Sequence, residues 1–256
     1  MAHKLTDTKV YIFYTSERTL DLCKYSFNRL GLNNVVVLDG DDSFKSKYVR
    51  CANDAMNTDD PYFIRTDADR IVYDGMLRAL QHAENRNDLW IEGKYYDYFM
   101  NRLRGGTPHV IPRKAMKLLA SDNSLMPNSK KPESDFSKYL KSKSLVDFKH
   151  LDTITNLHDF EQYPSKVCNT FLNRLKRGHG YLYDNSYLNT LPAHYKIALQ
   201  HAVNVFESKN YENKDSMDFA DFSFLDDAFS KSKKIDIDST YNELEKLYDS
   251  LEKSIK

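Results

Sequence analysis

Three short runs of apolar and β-branched residues lie near the start of the chain, and each is followed by polar or acidic residues. The runs are VYIFY at 10–14, VVVL at 35–38 and YFI at 62–64. Between them, apolar residues recur every three or four positions, as they do on one face of a helix. This order of strand, helix and strand predicts an α/β fold with parallel pairing.

The residues that follow these runs are candidates for a site, because open α/β sheets bind their ligands at the carboxyl ends of the strands. Asp39 follows the second run, and Asp67 and Asp69 follow the third. Two carboxylates with one residue between them can hold a divalent cation that also bridges phosphates. Asp-x-Asp is also common in solvated turns, so the pair alone leaves both interpretations open.

Farther along, the pattern predicts a helix over residues 75–83, a strand over 89–91 and a helix over 165–178. Residues 121–133 are polar and contain two prolines, which predicts a long loop of the kind that often covers an active site.

The clearest helix is predicted after residue 240. Thr240 and Glu243 form a capping-box pattern, and the apolar residues that follow share one face. We expect this face to pack on the same chain, with a homodimer contact through the helix as the alternative. We divide the chain into a main domain over residues 1–190 and a helical C-terminal extension over 191–256.

Composition narrows the class of protein. The 256 residues are 41% hydrophobic and 29% charged, which argues against disorder and against a small disulfide scaffold. The 37 basic and 37 acidic residues balance, so no overall field favours nucleic acid or an anionic membrane. The three cysteines have no metal-type spacing, and no apolar stretch approaches the ~20 residues of a membrane span. We therefore expect a cytoplasmic protein with reduced thiols.

Seven segments within residues 10–185 follow one another in a telling order. They are YIFYTSER, VVVLDGDDS, SKYVRCANDAM, YFIRTDADRIV, GGTPHVIPRKAM, PESDFSKYL and LHDFEQYPSKVCNTFLNRLKRGHG. Their sequence and order resemble those of GT-A-fold glycosyltransferases, especially of the family 2 type. The resemblance implies a Rossmann-like, mostly parallel central sheet flanked by helices. It also implies transfer of a sugar from a nucleoside diphosphate sugar, for which we favour a UDP-sugar.

The resemblance further implies a donor site at the polar ends of the strands. The residue after the first strand would contact the base, and the acidic residue after the second would bind base or ribose. A helix would face the nucleotide, and a glycine turn would let the backbone approach the donor sugar. The residues assigned to the donor on this basis are Thr15, Asp39, Arg50, Asn53, Asp67, Gly105 and Gly106.

A metal site is implied as well. Asp69 would coordinate Mn²⁺ or Mg²⁺ on the two phosphates, and Asp67 would hold the metal or the ribose. His158 resembles the histidine that completes the metal or diphosphate site in many relatives, and His150 competes with it for that role.

The base that accepts the proton of the acceptor hydroxyl is implied to be an acidic residue, with inversion at the sugar. Glu133 and Asp135 are the candidates, although the family commonly has an adjacent acidic pair and this chain has Ser134 between them. We prefer Asp135 slightly, because Phe136 and Leu140 predict a helix whose first turn would present it.

Three other classes of protein compete with this interpretation. DADRIV also fits the Asp-x-Asp pattern of haloacid-dehalogenase-type phosphatases, in which Asp67 would be a nucleophile. A sugar-nucleotide pyrophosphorylase would need a Gly-rich loop after the first strand, and this chain has none there. A non-catalytic nucleotide-binding or glycan-binding module is the third. The acceptor stays open among a glycan, a protein, a small molecule and a modified DNA base.

Overall fold

The computed structural model describes most of the chain. The described residues are 5–39, 43–84, 86–98, 100–127, 129, 132–160, 162–176, 178, 182, 184–191, 193–208, 222–226 and 235–255. They form two compact units, one of Met1–Phe160 with Ile237–Lys256 and the other of Glu161–Asp236. This division differs from the predicted boundary after residue 190, because the final helix belongs to the first unit.

All the described strands belong to the first unit. They are β1 (Val10–Phe13), β2 (Val35–Leu38), β3 (Tyr62–Asp67), β4 (Arg70–Val72), β5 (Leu89–Asp97), β6 (Arg102–Pro112) and β7 (Asp147–His158). The same unit holds the helices α1 (Leu20–Arg29), α2 (Phe44–Met56), α3 (Gly75–Ala83), α4 (Arg113–Ser121) and α5 (Pro132–Ser142). The remaining helices are α6 (Pro164–Lys176), α7 (Asn185–Thr190), α8 (Ala193–Ser208) and α9 (Ile237–Ile255).

The strands form one mixed sheet in the order β2-β1-β3-β6-β5-β7-β4. The predicted parallel pairing is present where β1 lies between β2 and β3. Beyond β3, only β5 and β7 pair in parallel, whereas β6 runs antiparallel to β3 and β5, and β4 runs antiparallel to β7. The α/β class is therefore confirmed, but the expectation of a mostly parallel sheet is not.

The connection between β3 and β4 forces the sheet to curl. These strands stand third and seventh in the sheet, yet only Ala68 and Asp69 join them. Such a link spans about 11 Å at most between Asp67 and Arg70. The far edge of the sheet must therefore return to the end of β3, and the Asp-x-Asp pair lies where the two edges meet.

Helices α2, α4 and α5 cover one face of the sheet. The fully buried ring of Trp90 on β5 lies in the same core as Tyr48 from α2, Met116 from α4 and Phe136 from α5. The predicted loop 121–133 contributes to this core too, because Met126 is fully buried there. It is shorter than predicted, since α4 extends to Ser121 and α5 begins at Pro132, and residues 128, 130 and 131 of it lie outside the described part.

Helix α9 packs on its own unit, as its apolar face predicts. Tyr73 stacks between Tyr241 and Tyr248 with ring centroids 5.1 and 4.6 Å away. The helix begins at Ile237, so Thr240 lies inside its first turn and not at the N-cap. The face that suggested a homodimer contact is thus covered within the chain.

The second unit is helical in its described residues, where α6 packs against α8 through Phe171, Leu172 and Ala198, all fully buried. The three cysteines are buried free thiols, as expected. No described helix combines the length and the apolar character that crossing a bilayer requires.

The hydroxyl of Tyr248 should contribute measurably to stability. It accepts from the backbone N–H of Gly75 at 3.0 Å and donates to the carbonyl of Ile154 at 3.2 Å. Tyr248→Phe leaves both buried groups without this partner, so urea unfolding should show a loss of about 1–3 kcal/mol. The matched variant Tyr139→Phe alters an exposed ring and should change stability by less than about 0.5 kcal/mol. Equal effects of the two variants would contradict the prediction.

Candidate functional site

The carboxyl ends of β1 and β3 border a cavity of about 290 Å³, which we call the β1 cavity. Asp67 emerges at this edge because it pairs in register with Phe13, the last residue of β1. Thr15 follows β1, and both its N–H and its hydroxyl donate to Glu17. The lining residues are Phe13, Thr15, Glu17, Phe44, Lys47, Asp67 and Asp69.

The carboxylate of Asp67 is held by a buried guanidinium. Arg65 Nη2 lies 2.6 Å from Oδ1 and Nη1 lies 3.3 Å from Oδ2, so both oxygens accept from the same fork. Arg65 is 1% exposed, and the rings of Phe13 and Phe44 lie 4.5 and 4.7 Å from its guanidinium carbon. Because a guanidinium is planar and stacks on aromatic faces, this setting holds Asp67 in one orientation.

Asp69 meets two residues from the end of β7. The register of β4 and β7 sets Arg70 opposite His158, which brings the preceding Asp69 beside the imidazole. Nε2 of His158 lies 3.4 Å from Asp69 Oδ2, and Nδ1 lies 3.3 Å from Asp159 Oδ2. The sequence predicted the pairing of Asp69 with His158, but it did not identify Asp159. His150 is mostly exposed and contacts Glu92 instead.

Charge and burial act against each other in this cluster. Burial alone would lower the pKa of His158, as would Arg70, but Asp159 and Asp69 outweigh both and raise it to about 10. Burial alone would raise the pKa of Asp69, but His158 and Arg70 bring it below its usual range. Burial, together with the Asp69 and Asp97 charges, raises the pKa of Asp159 to about 6 against the influence of His158.

The same three residues suit a hard divalent cation. One ligand atom from each lies within 4.8 Å of the others. Asp69 Oδ1 and His158 Nδ1 are buried, and neither has a hydrogen bond within the described part of the chain. Carboxylate oxygens and imidazole are ligands that Mn²⁺ accepts, and a cation could replace the proton that His158 holds.

A second cavity of about 280 Å³, the β6 cavity, lies beside β6 and the start of α5. Gly106 has φ +150°, and a Cβ there would lie 3.1 Å from the ring of Tyr95. The lining residues are Arg70, Glu92, Tyr95, Gly105, Gly106, Thr107, His109, Glu133, Ser134 and Ser137.

Glu133 is the carboxylate of the β6 cavity. It receives Arg65 Nη1 at 3.3 Å and the hydroxyl of Tyr48, and it lies 2.9 Å from His109 Nδ1. Burial raises the pKa of Glu133 to about 8. Asp135 lines neither cavity and accepts from Ser129. Of the two predicted base candidates, only Glu133 therefore lies in a cavity.

Arg65 also joins the two cavities. Its Nη1 lies 3.3 Å from Asp67 Oδ2 on one side and 3.3 Å from Glu133 Oε2 on the other. The end of β3 and the start of α5 thus lie within one guanidinium of each other, although 65 residues separate Asp67 from Pro132 in the sequence.

Some predicted donor residues lie elsewhere. Asp39, Arg50 and Asn53 are exposed, and none lines the β1 cavity. Helix α2 presents a different face, from which the buried Lys47 donates to the carbonyl of Tyr14 at 2.6 Å. Thr15 and the other predicted donor residues do line a cavity, namely Asp67, Gly105 and Gly106.

Sequence reasoning missed several polar residues of the site. The signal for Lys47 was its place four residues before Cys51 on the apolar stripe of α2, and the signal for Arg65 was a charge inside an apolar strand. The residues not foreseen are Glu17, Lys47, Arg65, Arg70, Glu92 and Asp159.

Comparison with known proteins brings no identification, because no family, no curated protein and no solved structure matches the chain.

The proton on His158 should make stability depend on pH in the metal-free protein. Its folded pKa of about 10 lies above the unfolded value of about 6.5, so the stabilisation is complete below pH 6.5 and is lost as the pH rises toward 10. In EDTA, His158→Asn should reduce the loss of unfolding free energy between pH 7 and pH 10 by roughly 2–4 kcal/mol. The exposed control His82→Asn should leave the profile unchanged. Parallel profiles of wild type and His158→Asn would refute the prediction.

Proposed function

We propose that this chain is a metal-dependent glycosyltransferase of the GT-A type, which transfers a sugar from a nucleoside diphosphate sugar to an acceptor hydroxyl with inversion. One observation carries the proposal. At a single edge of the sheet, a carboxylate and imidazole cluster lies beside the β1 cavity, and Arg65 connects that cavity to the buried carboxylate of Glu133.

The fold supports the donor half of the proposal. Strands β2, β1 and β3 form a parallel set, and nucleotides bind at the carboxyl ends of such strands. The β1 cavity at those ends has aromatic walls from Phe13 and Phe44 and polar groups from Glu17 and Lys47. These side chains can pack against a base and bind ribose hydroxyls, and a UDP-sugar is the first donor to test.

The cation follows from the donor set. Asp69, Asp159 and His158 would hold Mn²⁺ or Mg²⁺, with Asp67 next to them at the cavity wall. When bound, the cation supplies Lewis-acid stabilisation of the departing diphosphate. Arg70 lies against Asp69 and also lines the β6 cavity, so its positive charge favours the negative charge that develops on the leaving group.

Glu133 takes the part of the base. It lies in the β6 cavity, where Gly105 and Gly106 leave room along the backbone for a sugar. Its carboxylate accepts the proton of the acceptor hydroxyl as that oxygen attacks the anomeric carbon. Arg65 and Tyr48 donate to the same carboxylate and keep it oriented. Glu133 therefore replaces Asp135 as the preferred candidate.

Nucleotide binding tests the donor and metal roles together. Thermal shifts should be measured with UDP, GDP, ADP and CDP, with and without Mn²⁺. A ligand at ~100 times its dissociation constant adds roughly 2.7 kcal/mol of stability. Asp69→Asn should abolish the Mn²⁺-dependent part of the shift, whereas Asp21→Asn, an exposed control on α1, should retain it. An equal shift in Asp69→Asn and wild type would remove Asp69 from the metal site, and no shift with any nucleotide would overturn the donor assignment.

Turnover of UDP-glucose with Mn²⁺, read as release of UDP, tests the base. Glu133→Gln should lower the rate by ~10²–10⁴-fold while UDP binding persists, because the base acts only on the acceptor. Asp135→Asn is the matched control and should stay within about twofold of wild type. A large loss in Asp135→Asn with none in Glu133→Gln would restore Asp135 as the base.

The pH profile of the same reaction gives a further prediction. A base must be unprotonated to act, and burial raises the pKa of Glu133 to about 8. The rate should therefore rise with pH and level off above about 8, as measured under saturating UDP-glucose. A rate that is flat between pH 5 and pH 8 would contradict the assignment.

A further inference from the structure

A row of polar side chains crosses the sheet next to Glu133. The strand register aligns His109 on β6 with Glu92 on β5, and Glu92 in turn with His150 on β7. Residues directly opposite each other on neighbouring strands have Cβ atoms about 4.5–5.5 Å apart, so their side chains can meet. The row is thus a consequence of the pairing and of nothing local in the sequence.

The side chains of this row are close enough to exchange protons. His109 Nδ1 lies 2.9 Å from Glu133 Oε1, and His109 Nε2 lies 3.5 Å from Glu92 Oε1. The other oxygen of Glu92 lies 3.2 Å from His150 Nδ1. Acid and imidazole groups therefore alternate from Glu133 to His150 without interruption.

Exposure rises toward the end of the row. The side chain of Glu133 is 16% exposed and that of His109 is 7% exposed, whereas the side chain of His150 is 66% exposed. The row begins in the β6 cavity and ends in bulk water.

A buried base needs such a path. Burial raises the pKa of Glu133 to about 8, so near neutral pH the carboxyl holds its proton and cannot accept another. The charged and titratable groups that face Glu133 are Tyr48 from α2, Arg65 from β3 and His109 from β6. Burial, Arg65 and Arg70 lower the pKa of His109, so its ring stays neutral and suits relay more than storage of a proton.

We propose that His109, Glu92 and His150 form a relay that carries the proton of Glu133 to solvent. The relay rests on the proposed function, in which Glu133 is the base.

The proton balance of the relay is complete. The acceptor hydroxyl gives its proton to a Glu133 oxygen, which passes a proton to Nδ1 of His109 while Nε2 of His109 gives one to Glu92. Glu92 then gives a proton to Nδ1 of His150, and the exposed Nε2 of His150 releases one to water. Rotation of each ring, or the reverse transfer, restores the starting tautomers. One proton leaves the site for each hydroxyl that reacts.

The first test needs no substrate. In nucleotide-free protein labelled with nitrogen-15 histidine, NMR measures the exchange of the His109 Nε2 proton with water. Glu92→Gln and His150→Gln interrupt the row and should slow this exchange by about tenfold or more, because the path through an ionisable neighbour is lost. His82→Gln is the matched control, since His82 is another exposed histidine and contacts the neighbouring Lys149. Unchanged exchange in both row variants would overturn the relay.

The second test uses UDP-glucose and Mn²⁺. His150→Ala should lower the rate of UDP release by about tenfold in dilute buffer, with little change in KM, and imidazole in solution should restore it. His82→Ala should keep the wild-type rate. A loss of rate that imidazole leaves uncorrected would assign His150 a structural role and overturn its part in the relay.

The two tests separate the relay from the proposed function. If exchange slows in the row variants but no UDP is released from UDP-glucose by the wild type, the proton path is supported and the glycosyltransferase assignment fails. If UDP is released normally while exchange is unaffected by the row variants, the enzyme assignment is supported and the relay fails.

Discussion

The buried guanidinium of Arg65 is the interaction on which the site depends. It pairs with Asp67 and Glu133, and removal of either carboxylate would leave part of a buried charge without compensation. Breaking a buried pair costs about 3–5 kcal/mol, whereas a surface pair contributes 1 kcal/mol or less. The aromatic rings around Arg65 keep water out and hold the fork flat. A charge that is costly to bury is therefore kept where it orders two acids of opposite cavities.

A second constraint is the short link between β3 and β4. Because only Ala68 and Asp69 connect strands that stand far apart in the sheet, the sheet must curl, and Asp69 comes to face the end of β7. An ordinary hairpin would have left β4 beside β3 and His158 remote from Asp69. The cation-type cluster is thus a product of topology, and its ligands come from two segments almost ninety residues apart.

The two cavities divide the chemistry between them. The β1 cavity lies at the ends of parallel strands and has the aromatic and polar groups suited to a nucleotide. The β6 cavity contains a carboxylate whose raised pKa and imidazole neighbour suit proton transfer. Perturbed groups of opposite tendency, Glu133 and His158, lie on different sides of Arg70, which is the pattern expected where acid and base tasks are separated.

The local pattern of apolar residues was enough to predict β1, β2 and β3, the packing face of α9 and the acidic end of the third strand. These features depend on residues a few positions apart, whose spacing decides which side of a strand or helix is buried. Helix face was harder, since a shift of one position exchanged the exposed Arg50 for the buried Lys47. The mixed pairing, the meeting of Asp69 with Asp159 and the row from His109 to His150 were decided by the tertiary structure alone. Each depends on register between strands far apart in sequence, and no local periodicity encodes that register.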